Sequence, residues 1–125
     1  MNADKRILVV DDDTDLLNAL ELLLPYSGYQ VMTSQTADKI FTQIAEFKPN
    51  IVLLDIHIGQ VDGRQVCRAI KSAEETCALP VIILSADEDI YNTIQSVGAN
   101  DIVSKPFNFN NLTERINRQI QQTMG

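Results

Sequence analysis

Short apolar runs alternate along this chain with longer segments whose apolar residues recur at helical spacing. Four of the runs end at reactive side chains: residues 7–10 before Asp11, 51–54 before Asp55, 81–84 before Ser85, and 102–103 before Ser104 and Lys105. Runs of this kind are typical of buried strands in a parallel sheet. Because ligands bind at the carboxyl ends of such strands, the pattern predicts that these polar side chains meet at one edge.

The periodic segments between the runs predict amphipathic helices, each preceded by a residue that suits a helix N-terminus. The predicted caps are Thr14, Thr36, Asp62, Asp87 and Asn108, with Asp13 as a further helix-start residue. In chain order, the second strand is expected over residues 29–33, the third over residues 51–55 and the fifth over residues 101–104. Five strand–helix units in strict alternation predict an α/β fold, a doubly wound parallel sheet with helices on both faces. Right-handed crossovers would bring all strand carboxyl ends to one edge, while the periodicity leaves the strand order open.

Composition and charge narrow the class of protein. The chain has 125 residues, enough for one domain, and a net charge of -7, which argues against a nucleic-acid-binding surface. It contains no apolar run of about 18 residues, so we expect no membrane span, and its first residues do not resemble a signal peptide. A cytoplasmic location is therefore expected. Cys67 and Cys77 match no metal-binding spacing and are interpreted as structural or incidental.

The segments VVDDD, LLDIHIGQVDG, ILSA and DIVSKPF occur in this order, each at a predicted strand end. Together they resemble the receiver domain of bacterial two-component response regulators, over residues 5 to about 124. The resemblance implies a single receiver domain over residues 1–125 without an output domain. It also implies a flavodoxin-like five-stranded sheet of order 2-1-3-4-5. Such a domain takes a phosphoryl group from a sensor histidine kinase or histidine phosphotransfer protein, and catalyses only its own phosphorylation and dephosphorylation.

The resemblance assigns the phosphoryl chemistry residue by residue. Asp55 matches the phosphoacceptor, and a carboxylate can act as a nucleophile that forms an aspartyl phosphate. Ser85 matches the hydroxyl that hydrogen-bonds the phosphoryl group, and Lys105 matches the lysine that pairs with a phosphoryl oxygen. The peptide bond before Pro106 is expected to be cis, a form that proline permits at low cost.

A divalent cation, Mg²⁺ or Mn²⁺, is the cofactor that the resemblance implies. Its ligands would be Asp11, Asp12, Asp55 and the backbone carbonyl of His57. Without a cation, the anionic phosphoryl group would meet these carboxylates at a cost of several kcal/mol, roughly, by Coulomb's law at intermediate dielectric. Mg²⁺ prefers one or two carboxylates together with phosphate oxygens and water.

Each of these residues also has a structural interpretation. Asp55 could cap the loop after its strand, and Asp11 and Asp12 could stabilise the N-terminus of the next helix. Ser85 could be a turn hydroxyl and Lys105 a solvated surface lysine. Their shared position at strand ends favours the chemical interpretation.

Two further residues match positions that tune how fast the phosphoryl group is hydrolysed. His57 lies two residues after the acceptor, where the backbone carbonyl serves the cation and the side chain is free to vary. Asp87 lies two residues after Ser85 and could equally be only a helix cap. We expect the phosphoryl lifetime to depend on both modulators.

Two positions depart from the family pattern. Gly59 stands where proline is common, which predicts a more mobile loop or a different turn. Ile102 stands where Tyr or Phe usually acts with the hydroxyl of Ser85 as the switch. Either Ile102 is a conservative apolar replacement, or the signal leaves the domain by a different route.

The expected output is protein–protein contact at the face of the last two helices and the strand between them. An alternative is a receiver-like interaction module that acts without phosphorylation, but the acidic and lysine positions are all retained. A flavodoxin-like cofactor binder is disfavoured, because no glycine-rich phosphate loop follows the first strand and the aspartates there would repel a phosphate.

Overall fold

A computed structural model describes residues 5–86 and 97–124. Its secondary structure alternates as the apolar pattern predicts, with a short hairpin inserted after the third strand. The strands are β1 (Arg6–Val10), β2 (Gln30–Ser34), β3 (Ile51–Asp55), β4 (His57–Ile58), β5 (Val61–Asp62), β6 (Val81–Ser85) and β7 (Asp101–Ser104). The helices of the described ranges are α1 (Thr14–Leu23), a 3-10 helix (Leu24–Ser27), α2 (Ile40–Phe47), α3 (Gly63–Ser72) and α4 (Phe109–Met124).

Five strands form one parallel sheet in the order β2-β1-β3-β6-β7. This confirms the doubly wound sheet and the strand order that the family resemblance implies. The two-residue strands β4 and β5 form a separate antiparallel pair directly after β3. The parallel arrangement brings the carboxyl ends of β1, β3, β6 and β7 to one edge.

Apolar side chains form two layers, one on each face of the sheet. Alternate residues of the strands point to opposite sides, so Leu8 and Val10 join one layer while Ile7 and Val9 join the other. The first layer includes residues of α2 and α3, and the second includes residues of α1 and α4. Every residue of β3 is buried, which fits its central position in a sheet covered on both faces.

Two of the predicted helix caps are wrong. The N-cap of α1 is Asp13, whose carboxylate accepts hydrogen bonds from the backbone N–H groups of Asp15 and Leu16. Thr14 is therefore the first helical residue rather than the cap. Helix α2 begins later than predicted and has Lys39 at its N-cap, with no side-chain hydrogen bond. Thr36 instead lies in a turn in which its backbone N–H and C=O both contact the Ser34 hydroxyl.

Two other predicted caps agree with the structure. The Asp62 carboxylate accepts a hydrogen bond from the backbone N–H of Arg64 at the start of α3. The Asn108 side-chain oxygen accepts one from the N–H of Asn111 at the start of α4. The predicted cap Asp87 lies outside the described residues. The helices of the described ranges are each too short or too polar to cross a bilayer.

Candidate functional site

Three carboxylates meet at the carboxyl edge of the sheet. Asp11 and Asp12 follow β1, and Asp55 is the last residue of the neighbouring strand β3, because Val10 pairs with Leu54. One carboxylate oxygen from each aspartate lies within 4.8 Å of the other two. Asp11 and Asp55 are buried while Asp12 is exposed, so the cluster opens to solvent on one side.

Lys105 directly follows β7, the last strand of the sheet, and brings a positive charge to this cluster. Its Nζ atom donates a hydrogen bond to Asp11 Oδ2 at 2.8 Å and lies 3.5 Å from Asp55 Oδ1. The backbone N–H of Lys105 bonds to the carbonyl of Ser85 at 2.8 Å, and the Lys105–Pro106 peptide bond is cis. Ser85 itself is buried at the end of β6, the strand between β3 and β7.

The charges in this cluster are unbalanced. Burial raises the pKa of Asp55, the Asp11 charge raises it further, and Lys105 offsets part of the increase. Burial lowers the pKa of Lys105, but its hydrogen bond to Asp11 and the charges of Asp11 and Asp55 outweigh this, so that its pKa lies above its ordinary value. Two carboxylates whose oxygens lie within 4.8 Å of each other repel by about 3 kcal/mol at an effective dielectric of 20. One lysine therefore leaves excess negative charge.

The donor set fits a hard divalent cation. Mg²⁺ takes oxygen ligands and uses few carboxylates, leaving positions for water and phosphate oxygens. The carboxylates of Asp11, Asp12 and Asp55 supply such oxygens, and the exposed side of Asp12 leaves the cluster accessible. Asp11 Oδ2 is engaged by Lys105, while its Oδ1 accepts a hydrogen bond from the N–H of Asp13 at 2.9 Å.

His57 lies two residues after Asp55 and is exposed. Its backbone N–H hydrogen-bonds the Asp55 carboxylate and lowers the pKa of that group against the effect of burial. In the β4–β5 pair His57 lies opposite Asp62. The pKa of Asp62 is lowered, mainly by its hydrogen bonds to Arg64 and in a small part by His57.

Sequence reasoning missed the role of two glycines around this hairpin. The backbone N–H of Gly59 donates to Asp12 Oδ2 at 3.0 Å, and Gly59 has a φ of 61°. A Cβ on Gly63 would lie 2.0 Å from the backbone carbonyl oxygen of Asp55, so only glycine allows α3 to start there. Two features of the sequence could have indicated these roles: Gly59 stands where proline is common, and Asp62 and Gly63 directly precede a predicted helix.

Ile102, a predicted switch position, is a buried residue of β7. Ile102 is 4% exposed and belongs to the apolar layer that also contains residues of α2 and α3. It is paired with Ile83 of β6 and is packed as a core residue. It also lines one side of a cavity of about 240 Å³ that reaches Arg115 of α4. Asp87, which the sequence predicts as a modulator of hydrolysis, lies outside the described residues.

Comparison with known protein families and relatives gives a consistent result. A family model described as the response regulator receiver domain matches residues 7–117. Response regulator MprA of Mycolicibacterium vanbaalenii is 32% identical over 120 residues, covering 94% of this chain and 51% of that protein. The phosphate regulon transcriptional regulatory protein PhoB of Pseudomonas aeruginosa is 31% identical over 121 residues, covering 95% and 53%. The chain thus spans about half the length of these relatives.

Solved structures agree with the fold. A CheY-like response regulator receiver domain protein from Methanospirillum hungatei superposes with a TM-score of 0.87 at 26% identity, covering 96% of each chain. The BeF3-activated N-terminal receiver domain of RstA from Klebsiella pneumoniae gives a TM-score of 0.82 at 25% identity, covering 93% of this chain and 98% of that one.

Proposed function

Since this chain belongs to the response regulator receiver domain family of two-component systems, we propose that it accepts a phosphoryl group onto Asp55. The donor is a phosphohistidine on a sensor histidine kinase or a histidine phosphotransfer protein, and the cofactor is Mg²⁺ or Mn²⁺. The observation that carries the proposal is the meeting of three carboxylates within 4.8 Å beside the Lys105 ammonium, 3.5 Å from Asp55.

In the proposed transfer, an Asp55 carboxylate oxygen forms a bond to phosphorus while the nitrogen–phosphorus bond of the donor breaks. The donor imidazole leaves with the bonding electron pair and takes a proton from solvent. Catalysis of such a transfer consists of positioning and charge neutralisation. The carboxylates of Asp11, Asp12 and Asp55 with the His57 carbonyl would hold the cation, which when bound would neutralise charge on the phosphoryl oxygens.

The remaining groups orient the phosphoryl group. Lys105 is held at the site by its hydrogen bond to Asp11 and is close enough to Asp55 to reach an oxygen of a phosphoryl group attached there. Ser85 ends the strand between β3 and β7, which suits a hydroxyl donor to a second oxygen. The side chains of His57 and Asp87 are proposed to set the rate of hydrolysis.

Phosphorylation would act on partners through the last strand and helix. The phosphoryl group adds negative charge beside Lys105, which directly follows β7 and whose backbone N–H donates to the carbonyl of Ser85 at the end of β6. A shift there reaches the surface built by β7 and α4, where Ile102 and Arg115 line a cavity. We propose that this surface binds a downstream protein. Ile102 carries no hydroxyl or ring, so its contribution is through packing.

The test is phosphorylation by a small phosphodonor, acetyl phosphate, in the presence of Mg²⁺, followed by intact-mass spectrometry. We expect one added phosphoryl group on the parent protein and none after Asp55→Asn. The matched control is Asp15→Asn, which removes an exposed carboxylate in the first turn of α1 and should leave the modification unchanged. A parent protein that stays unmodified, or a modification that persists in Asp55→Asn, would refute the proposal. The first of these results would favour an interaction module that works without phosphorylation.

A further inference from the structure

We propose that the backbone N–H of Gly59 holds the Asp12 carboxylate toward the cation, so that the turn between β4 and β5 sets the affinity for Mg²⁺. This inference rests on the cation site of the proposed function. It assigns Gly59 a positioning role through Asp12 and does not require Gly59 to touch the cation itself.

The contact joins two loops that are distant in sequence. Asp12 belongs to the loop after β1, and Gly59 belongs to the turn of the short hairpin after β3. The Gly59 N–H donates to Asp12 Oδ2 at 3.0 Å, a normal length for a hydrogen bond to a carboxylate. One oxygen of this same carboxylate lies within 4.8 Å of an oxygen of Asp11 and of Asp55.

The other two carboxylates of the cluster are fixed in different ways. Asp11 is buried and is held by both Lys105 and the backbone N–H of Asp13. Asp55 is buried and is held by Lys105 and by the backbone N–H of His57. Asp12 is exposed, so its side chain would exchange among rotamers in solvent unless a partner restrained it. Gly59 supplies that restraint, and an ordered carboxylate loses less conformational entropy when it binds a cation.

The conformation of Gly59 explains why this residue type stands there. Its φ of 61° is the left-handed region, which glycine adopts freely and Asn tolerates. A Cβ on Gly59 would meet nothing within 4 Å, so space does not limit the position. Proline fixes φ near about −65° and has no N–H, so it can form neither the turn nor the hydrogen bond. Because glycine stands here in place of the common proline, the chain has a backbone N–H that can hydrogen-bond to Asp12.

The test compares Mg²⁺ affinity in three proteins by isothermal titration calorimetry after removal of cations with EDTA. We expect Gly59→Pro to bind Mg²⁺ about tenfold more weakly than the parent, the loss typical of one hydrogen bond to a charged group. Gly59→Asn keeps the N–H and tolerates the backbone conformation, so it should stay within about twofold of the parent. Equal affinities of the parent and Gly59→Pro would overturn the inference, and so would an equal loss in both variants.

A second measurement tests the hydrogen bond directly, without a cation and without the Gly59→Pro variant. In the cation-free protein, the Gly59 amide should exchange with solvent faster in Asp12→Ala than in the parent, as followed by hydrogen exchange in NMR spectra. Unchanged exchange would show that the hydrogen bond does not form, and this result decides the question if Gly59→Pro does not fold.

Different results contradict the proposed function and the proposed role of Gly59. A parent protein that binds no Mg²⁺ contradicts the proposed function, whereas a parent that binds Mg²⁺ no better than Gly59→Pro contradicts only the role of Gly59.

Discussion

The N-terminus of α3 lies so close to the end of β3 that one added methyl group should displace the helix. Gly63→Ala introduces a Cβ only 2.0 Å from the backbone oxygen of Asp55 and 2.9 Å from its carbonyl carbon. Both neighbours are backbone atoms of a fully buried strand, so they cannot rotate away as a side chain would.

The size of the effect follows from these distances. Real Cβ contacts are essentially never shorter than 3.0 Å, so α3 must move away from Asp55 by about 1 Å. The same movement stretches the hydrogen bond from the Gly63 N–H to the Ile56 carbonyl, now 2.7 Å, beyond a useful length. Overpacking of this kind costs about 1–3 kcal/mol and a lost buried hydrogen bond about 1 kcal/mol more. We therefore expect the free energy of unfolding to fall by roughly 2–4 kcal/mol.

Urea unfolding of the cation-free protein measures this loss, and Gly28→Ala is the matched control. Gly28 has a φ of 92° but a Cβ there meets nothing within 4 Å. Its substitution therefore tests backbone strain alone, which costs about 1 kcal/mol. A loss in Gly63→Ala no larger than the loss in Gly28→Ala would refute the argument that the close approach to Asp55 requires glycine. A second expected effect is weaker Mg²⁺ binding, since the displaced helix start follows the hairpin that carries His57.

Two further predictions concern ionisable groups of the core. In EDTA, the contribution of Asp55 to the free energy of unfolding should fall as the pH rises from 3.8 through its raised pKa, because the folded state holds this proton more tightly than the unfolded chain. Asp55→Asn should remove that decline and be the more stable protein at neutral pH in urea unfolding; parallel pH profiles would contradict this. Burial raises the pKa of the Cys67 thiol to about 11, so at pH 8 iodoacetamide should label only the exposed Cys77. Mass spectrometry should find both cysteines labelled in denaturant, and labelling of Cys67 in the folded protein would show that its burial is incomplete.

The strands were the most predictable part of this fold. The third and fifth parallel strands were expected over Ile51–Asp55 and Asp101–Ser104 and are found with these bounds. An uninterrupted apolar run is stable only where both faces of a strand are covered, so its place in the fold is narrowly determined. The strand order came from the family resemblance, because periodicity within a strand carries no information about its neighbours.

Helix starts were less predictable, because a cap depends on the backbone conformation of one residue. Asp13 and Thr14 are adjacent and both suit an N-cap, and the structure uses Asp13. At the second helix, the Ser34 hydroxyl bonds to the backbone of Thr36 and forms a local turn instead of a cap. Such side-chain bonds compete with helix initiation, and the sequence does not reveal which one prevails.

The candidate site likewise contains residues whose proximity the sequence predicts and contacts that it does not. Asp11, Asp55 and Lys105 could be placed together because each ends or follows a strand, and parallel strands end at one edge. The contact between Gly59 and Asp12 depends on a turn whose shape is decided after the strands have paired, across 47 positions of sequence. The need for glycine at position 63 likewise depends on how closely a helix approaches a neighbouring strand.

The central position of β3 also has a consequence for synthesis of the chain. The partners of β3 are β1, made earlier, and β6, whose last residue follows that of β3 by about 30 residues, or roughly 2–6 seconds of translation. During that interval one edge of a highly apolar strand has no partner, and unpaired edges of this kind recruit other chains. The Lys105 ammonium, which offsets part of the negative charge of the carboxylates, arrives later still, directly after the last strand. A nascent chain released early would therefore be prone to aggregate, and its carboxylate cluster would stay without the Lys105 charge until the sheet is complete.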